Sequence, residues 1–213
     1  MKKAPFIVFD GMDGSGKGTQ VKLLIDRALH AHRQFVDTRE PGGSPLGEKI
    51  RDLFSSPEGA IASARTQFFM MWAARSDWFE RVVLPNLEKG VPVISDRCDS
   101  STMAYQVYAK EAPELEDEFW RIRSMIFGKH PPTLYLFIDL PAKEAKRRVD
   151  ADTSRSKSLF DKKPLEWYER VRKGFQSLRE DLPNHVIMID GDRSPEAIHE
   201  EVYKIVSEHC GWK

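Results

Sequence analysis

The sequence has little of what marks several large classes of protein. Only two of its 213 residues are cysteines, Cys98 and Cys210, and their separation fits no zinc motif and favours a reducing compartment. No apolar run is long enough to cross a membrane, and the first residues lack the apolar core of a secretion signal. We therefore expect a cytoplasmic protein that does not associate with membranes.

Neither sign of charge is in excess. Lys plus Arg and Asp plus Glu number 33 each, so the formal net charge is zero. General nucleic-acid binders normally carry a basic excess, which argues against a nucleic-acid partner. Any anion must then be bound by a local cluster of charged residues. With 40% hydrophobic residues and no internal repeat, we expect a single domain over residues 1–213.

Short apolar runs alternate with helical patterns along the chain. This alternation predicts an α/β fold with a doubly wound, five-stranded parallel sheet and helices on both faces. The predicted strands span residues 6–9, 35–38, 91–95, 134–139 and 186–190. The aromatic-rich stretch 60–87 predicts one long helix, and Ser-Pro pairs at 44–45 and 194–195 predict helix starts. The polar segment 150–163 predicts a mobile loop.

A glycine-rich turn follows the first predicted strand. Residues 11–19 read Gly-Met-Asp-Gly-Ser-Gly-Lys-Gly-Thr, and a helical pattern comes next. Glycines let backbone N–H groups converge on phosphate oxygens, and the helix N-terminus adds partial positive charge. Lys17, which we expect to lie exposed in this loop, would contact the β- and γ-phosphates. We therefore predict an ATP phosphate site at Gly11, Gly14, Ser15, Gly16, Lys17, Gly18 and Thr19.

One position departs from the usual P-loop pattern. Gly18 stands where serine or threonine normally follows the lysine, and the hydroxyl of Thr19 comes one residue later. Adenylate kinase-like proteins share this Gly-Lys-Gly-Thr sequence, so the departure indicates a kinase of small molecules. The alternative is a glycine-rich turn with a solvated lysine, which the strand before it and the helix after it make less favourable.

Charged pairs follow the second and third predicted strands. Arg39 and Glu40 come after one strand, and Asp96 and Arg97 after the next. Ligands of doubly wound sheets bind outside the carboxyl ends of the strands. There a carboxylate such as Asp96 can hold Mg²⁺, and an arginine suits a phosphate. The alternative for each pair is a simple ion pair at a solvated edge.

Together these segments resemble the thymidylate kinase family of P-loop nucleoside monophosphate kinases. The likeness covers about residues 6–190 and rests on the P-loop, Arg-Glu-Pro-Gly-Gly at 39–43, Ala-Ala-Arg at 73–75, the stretch 96–106 and the helix pattern 167–175. It implies an ATP- and Mg²⁺-dependent homodimer that phosphorylates deoxythymidine monophosphate (dTMP) for deoxythymidine triphosphate synthesis, with residues 150–163 as a lid.

Three alternative functions compete with phosphorylation of dTMP. One is a deoxynucleoside monophosphate kinase with wider base choice, for example for deoxyuridine monophosphate (dUMP). A GTPase-like switch would need a guanine-reading Asn-Lys-x-Asp, which the sequence lacks. A silent nucleotide-binding module would not need the whole set of charges.

The resemblance implies which charges act on the transferred group. Lys17, Asp13 and Arg97 would be catalytic. Some family members carry an arginine in the P-loop where this chain has Gly14, and others supply one from the lid. The lid arginine here is Arg155. Other basic candidates are Arg147, Arg148, Lys157, Lys162 and Lys163. The candidate magnesium ligands are Asp13, Asp96 and Thr19.

The resemblance also implies an acceptor site. Arg39 and Arg97 would hold the acceptor phosphate, Arg75 would reach a pyrimidine carbonyl, and Thr102 and Gln106 would bond the base edge. The full predicted set is Asp13, Arg39, Glu40, Arg51, Met71, Arg75, Arg97, Thr102, Tyr105 and Gln106.

Two positions of the acceptor site depart from the family. Cys98 replaces the aromatic residue that usually follows Asp-Arg, and Met71 replaces the phenylalanine that stacks on the base. Either an aromatic neighbour at 68, 69 or 72 restores the stack, or the pocket admits more bases. Tyr105 would still exclude a ribose 2′-hydroxyl. The same aromatic residues are candidates for the dimer interface or for the core.

Overall fold

The computed structural model describes residues 4–153 and 157–212 and contains a five-stranded parallel sheet in the order β2-β3-β1-β4-β5. The strands are β1 (Phe6–Asp10), β2 (Val36–Arg39), β3 (Val93–Asp96), β4 (Leu134–Asp139) and β5 (Val186–Asp190). The predicted doubly wound parallel sheet is confirmed. The observed β2 and β3 each end one residue later than expected, so that Arg39 and Asp96 are the last residues of paired strands.

Helices connect and cover the strands. They are α1 (Lys17–His30), α2 (Pro45–Ser55), α3 (Pro57–Ile61), α4 (Ala64–Trp78), α5 (Leu84–Glu88), α6 (Asp99–Thr102), α7 (Glu116–Phe127), α8 (Ala142–Ala151), α9 (Leu165–Asp181) and α10 (Pro195–Cys210). The Ser-Pro helix starts are confirmed. The Ser44 hydroxyl accepts from the backbone N–H of Gly47, and that of Ser194 accepts from Ala197.

The single helix predicted over 60–87 is wrong at its start. Ala60 belongs to α3, and the Ser63 hydroxyl caps a separate helix by accepting from the N–H of Thr66. From Ala64 the chain stays helical to Glu88, because a π-helical turn (Phe79–Val83) joins α4 to α5. A second π-helical turn (Met103–Tyr108) continues α6. Such turns are frequent at functional sites.

The two faces of the sheet pack against different helices. Ile7 and Phe9 of β1 lie in one hydrophobic cluster with residues of α1 and α10, whereas Phe6 and Val8 lie in a second cluster with residues of α4, α7 and α9. This is the alternation of a strand covered on both faces. Within the described ranges, no helix is both long and apolar enough to span a bilayer.

Candidate active site

The P-loop turns tightly between β1 and α1. Gly14 and Gly16 have φ of +84° and +90°, a region that favours glycine. A Cβ atom on Gly14 would lie 2.4 Å from the backbone oxygen of Ala145, so α8 packs directly on the loop. A side chain at position 14 would therefore require α8 or the loop to shift. The Ser15 hydroxyl is buried, with no hydrogen-bond partner among the described residues.

Lys17 is the first residue of α1 and is only 8% exposed. The expectation that it lies exposed in the loop is wrong, because β3 runs beside β1 and its last residue, Asp96, forms an ion pair with the Lys17 ammonium. Burial lowers the pKa of Lys17, and the nearby Arg97 lowers it further. The predicted phosphate-binding lysine and the predicted metal-binding aspartate are thus in direct contact.

Arg97 is the centre of a partly buried charge network. Its Nη1 donates to Asp10 Oδ1 at 3.1 Å and to Ser101 Oγ at 3.0 Å, and its Nη2 donates to Asp13 Oδ1 at 2.6 Å. Its φ of +72° is left-handed, which costs a non-glycine residue about 1–2 kcal/mol. These charge-assisted hydrogen bonds offset that strain and aim the guanidinium between two carboxylates.

Asp10 belongs to this charge network, although no role was predicted for it from the sequence. It is fully buried at the end of β1 and accepts from Arg97, Ser100 and Ser101. Burial raises the pKa of its carboxyl, against the lowering effect of Arg97 and Lys17. The sequence feature that could have identified Asp10 is its position as the last residue of the strand that leads into the P-loop.

A cavity of about 190 Å³ opens beside this network. Its lining includes Asp13, Glu40, Arg51, Met71, Arg75, Arg97, Thr102, Tyr105 and Gln106, which is the predicted acceptor set without Arg39. The other lining residues are Pro41, Phe54, Ser55, Cys98, Ser101, Ser158 and Phe160. Arg39 lies outside, with a side chain 52% exposed, because it pairs with Glu48 at 2.9 Å.

Arg75 and Glu40 form a buried pair on the cavity wall. Arg75 is 2% exposed; its Nε donates to Glu40 Oε2 at 2.8 Å and its Nη2 to Thr102 Oγ1 at 3.1 Å. Burial raises the pKa of the Glu40 carboxyl to about 7, and the neighbouring Cys98 thiol also has its pKa raised by burial. Arg75 Nη1 and Glu40 Oε1 have no hydrogen-bond partner in the described parts of the chain. Because an unpaired buried donor is costly, Arg75 is ready to bind a ligand oxygen.

Tyr105 reaches the cavity from the π-helical turn Met103–Tyr108. Its hydroxyl donates to Asp13 Oδ2 at 3.4 Å, and its ring packs edge-on against Trp167 of α9, with centroids 5.4 Å apart. Helix α9 approaches closely because Gly174 has no side chain: a Cβ atom there would lie 2.6 Å from Ala104 Cα. The glycine therefore helps to position Tyr105.

The lid candidates are divided between α8 and the segment after it. Arg147 and Arg148 pair with Glu144 on their own helix, and Arg148 also reaches Asp192 at 3.0 Å. Lys157 Nζ donates to the backbone oxygen of Asp150 at 2.6 Å, which closes the base of the loop. The predicted bounds 150–163 begin too early, because Ala151 is still helical. Arg155 lies outside the described residues.

A P-loop beside charged strand ends, with an adjoining cavity lined by arginines and carboxylates, is typical of the ATP-dependent nucleoside monophosphate kinases. The family model described as thymidylate kinase matches residues 9–202. The chain belongs to the thymidylate kinase family.

Relatives match over nearly the full length. The chain is 37% identical over 206 residues to the thymidylate kinase of Chlamydia caviae, covering 96% of each protein. It is 35% identical over 211 residues to that of Caulobacter vibrioides, covering 99% of this chain and 100% of the relative. The crystal structure of thymidylate kinase from Ehrlichia chaffeensis has a TM-score of 0.76 and 28% identity, over 96% of this chain and 99% of that one.

Proposed function

We propose that this enzyme transfers the γ-phosphoryl group of ATP to dTMP, giving ADP and deoxythymidine diphosphate. The observation that carries this proposal is the cavity beside the P-loop, which has the Arg97–Asp13 pair and the unpaired N–H of Arg75 on its wall. Membership of the family supports the reaction, and the relatives favour thymidylate over a wider base choice.

Catalysis in this reaction is positioning and charge, without a covalent intermediate. Lys17 and the N-terminus of α1 would hold the donor phosphates, because the Lys17 ammonium has N–H groups besides the one that Asp96 accepts. Arg97 would hold the acceptor phosphate while Asp13 orients the arginine. Together these groups would place both phosphates beside the carboxyl ends of β1 and β3.

The other end of the cavity would bind the nucleoside. Arg75 Nη1 would donate to a pyrimidine carbonyl oxygen, because Nε and Nη2 already donate to Glu40 and Thr102, whereas Nη1 has no partner in the described parts of the chain. Tyr105, fixed by Trp167 and Asp13, would crowd a ribose 2′-hydroxyl. A polar hydroxyl that is buried without a partner is disfavoured, so deoxynucleotides are expected to be preferred.

We also propose Mg²⁺ as the metal that accompanies ATP. Asp13, Asp96 and Thr19 would supply oxygen donors to the ion, and the Ser15 hydroxyl is a further oxygen in the loop with no partner among the described residues. No group of three or more acidic, histidine or cysteine side chains in residues 4–153 and 157–212 could hold a metal by itself. Mg²⁺ fits such a site, because it binds through one or two carboxylates together with substrate phosphates. The bound ion would neutralise phosphate charge.

Arg155 remains our proposed source of positive charge for the transition state. Position 14 is a glycine and gives the P-loop no positive side chain of its own, so this charge must come from elsewhere. Arg148 is held by Glu144 and Asp192, and Lys157 by Asp150, so each would first have to leave these partners.

We propose a homodimer in which Phe69 contributes to the interface. Phe69 is 53% exposed on α4, whereas Phe68 and Trp72 are 0% and 3% exposed in the core. Light scattering coupled to gel filtration should give a dimer for the wild type and a lower mass for Phe69→Glu. A wild-type monomer, or a Phe69→Glu dimer of unchanged stability, would contradict this assignment. Like the homodimer, the cytoplasmic location stays a prediction.

The reaction is tested by coupled detection of ADP with a panel of acceptors. With ATP and Mg²⁺, dTMP should give the highest kcat/KM, ahead of dUMP, deoxycytidine monophosphate and deoxyguanosine monophosphate, and ribonucleotides should be poor. Reactions without acceptor measure hydrolysis of ATP by water, and EDTA tests the metal requirement. A higher kcat/KM for any other acceptor would overturn the assignment of dTMP.

A further inference from the structure

Two phenylalanine rings from distant parts of the chain meet at the acceptor cavity. Phe54 lies at the end of α2, and Phe160 lies in the turn before α9. Their centroids are 5.4 Å apart and their planes differ by 10°, which is an offset-stacked arrangement. Both rings line the cavity. We call Phe54 and Phe160 the ring pair.

Each ring is held in place from its own side. Phe54 follows Arg51, another cavity residue, by three positions on α2, so both side chains project from one helical face. Phe160 sits within a hydrogen-bonded turn, in which Ser158 donates through its backbone N–H and its hydroxyl to Asp161 Oδ2, at 2.7 and 2.8 Å. Phe160 also contacts Trp167, with centroids 6.2 Å apart.

Helix α4, from which the family's stacking ring comes, presents no ring to the cavity. Met71 lines the cavity at the position of the expected phenylalanine. Phe68 and Trp72 are buried in the core, Phe69 is exposed, and none of the three lines the cavity. An aromatic surface for a base is therefore available from the ring pair, on elements other than α4.

We propose that Phe54 and Phe160 are specificity-determining residues of the acceptor site, and that the ring pair supplies the aromatic contact to the base that Met71 does not. This inference rests on the proposed function, because it takes the cavity to be the acceptor site. The contact depends on both rings, since each ring holds the other against the cavity. Loss of one ring should therefore remove most of the effect of the pair.

The first test measures dTMP binding by calorimetry with the full-length protein. Phe54→Ala and Phe160→Ala should each raise the Kd for dTMP about tenfold, in the range known for base–aromatic stacking. The double variant should be only slightly weaker than either single variant. Leu159→Ala is the matched control, because Leu159 lies in the same turn, is 44% exposed and does not line the cavity. Its Kd should match that of the wild type, and thermal melting checks that each variant is folded.

A second ligand separates contact with the base from a general disturbance of the site. Deoxyribose 5-phosphate carries the sugar and phosphate without the base. Phe160→Ala should reduce the preference for dTMP over this ligand about tenfold, and Phe160→Tyr, which retains a ring, should restore most of it. A merely structural role would weaken both ligands equally.

The inference is overturned if folded Phe160→Ala binds dTMP like the wild type, if Leu159→Ala loses as much affinity, or if the two single effects multiply in the double variant. An unchanged preference for dTMP over deoxyribose 5-phosphate would also overturn it. If the wild-type enzyme prefers a nucleotide other than dTMP, the proposed function is overturned instead. The same variants then test the ring pair with that nucleotide.

Discussion

Alanine substitutions at three P-loop glycines separate backbone strain from collision with α8. Gly14 has a left-handed φ of +84°, and an added Cβ would lie 2.4 Å from the Ala145 oxygen. Gly16 has a similar φ of +90° but has no atom within 4 Å of an added Cβ. Gly18 lies within α1 and also has open space around an added Cβ. Gly14→Ala therefore introduces both backbone strain and a steric collision, Gly16→Ala introduces strain alone, and Gly18→Ala introduces neither.

The magnitudes follow from those three environments. Left-handed backbone costs a residue with a Cβ about 1–2 kcal/mol, and an overpacked contact about 1–3 kcal/mol. Gly14→Ala should lower the free energy of unfolding by about 2–5 kcal/mol, and Gly16→Ala by about 1–2 kcal/mol. Gly18→Ala should be neutral or stabilising by up to about 1 kcal/mol, because alanine is the better helix former. For a chain of this size, Gly14→Ala should lower Tm by on the order of 10 °C.

Urea unfolding of ligand-free protein measures these differences directly, and the slope of each curve shows whether the denatured state has changed. The expected order of stability is Gly18→Ala, then Gly16→Ala, then Gly14→Ala. Equal stability of the Gly14 and Gly16 variants would show that α8 yields to a side chain at position 14. The steric explanation for the absence of an arginine from this P-loop, which is the close packing of α8 on Gly14, would then be refuted.

Four further predictions concern single side chains. Lys17→Ala should reduce kcat/KM for dTMP by at least two to three orders of magnitude, roughly 3–4 kcal/mol; near wild-type turnover in a folded variant would refute the P-loop assignment. Arg155→Ala should lower kcat more than it raises KM for either substrate, and the reverse pattern would make Arg155 a binding residue for ATP. Met71→Phe should raise the ratio of kcat/KM for dTMP over dUMP, and an unchanged ratio would show that base choice is set elsewhere. Burial raises the pKa of Glu40 from 4.5 to about 7, so between these pH values the folded protein binds a proton that the unfolded chain has released. The free energy of unfolding that this proton contributes is fully present below pH 4.5 and is lost as pH rises through 7. Urea unfolding across this pH range should show the free energy of unfolding of the wild type falling by up to about 3 kcal/mol relative to that of Glu40→Gln. A difference between the two proteins that does not change with pH would refute the raised pKa of Glu40.

The sheet and the helix starts were predictable because their signals are local. A strand needs only a short apolar run, and a Ser-Pro start needs two adjacent residues, as at Ser44. The charged sheet edge was also predictable, because parallel topology brings the carboxyl ends of strands together. The burial of Lys17 was not, because it depends on Asp96 in a strand 79 residues away. The left-handed backbone of Arg97 gives no signal either, since arginine does not favour that region.

The ring pair shows a different limit of inference from sequence. Phe54 ends a helix and Phe160 lies in a polar segment, so no common period or motif relates them, and only the folded chain brings them together. The position of Phe160 in the sequence nevertheless indicates a contact. A large apolar side chain among charged residues gains little from the local structure of a loop, so its position calls for a contact elsewhere in the fold. In this chain that contact lies at the cavity where Met71 leaves the base without an aromatic neighbour from α4.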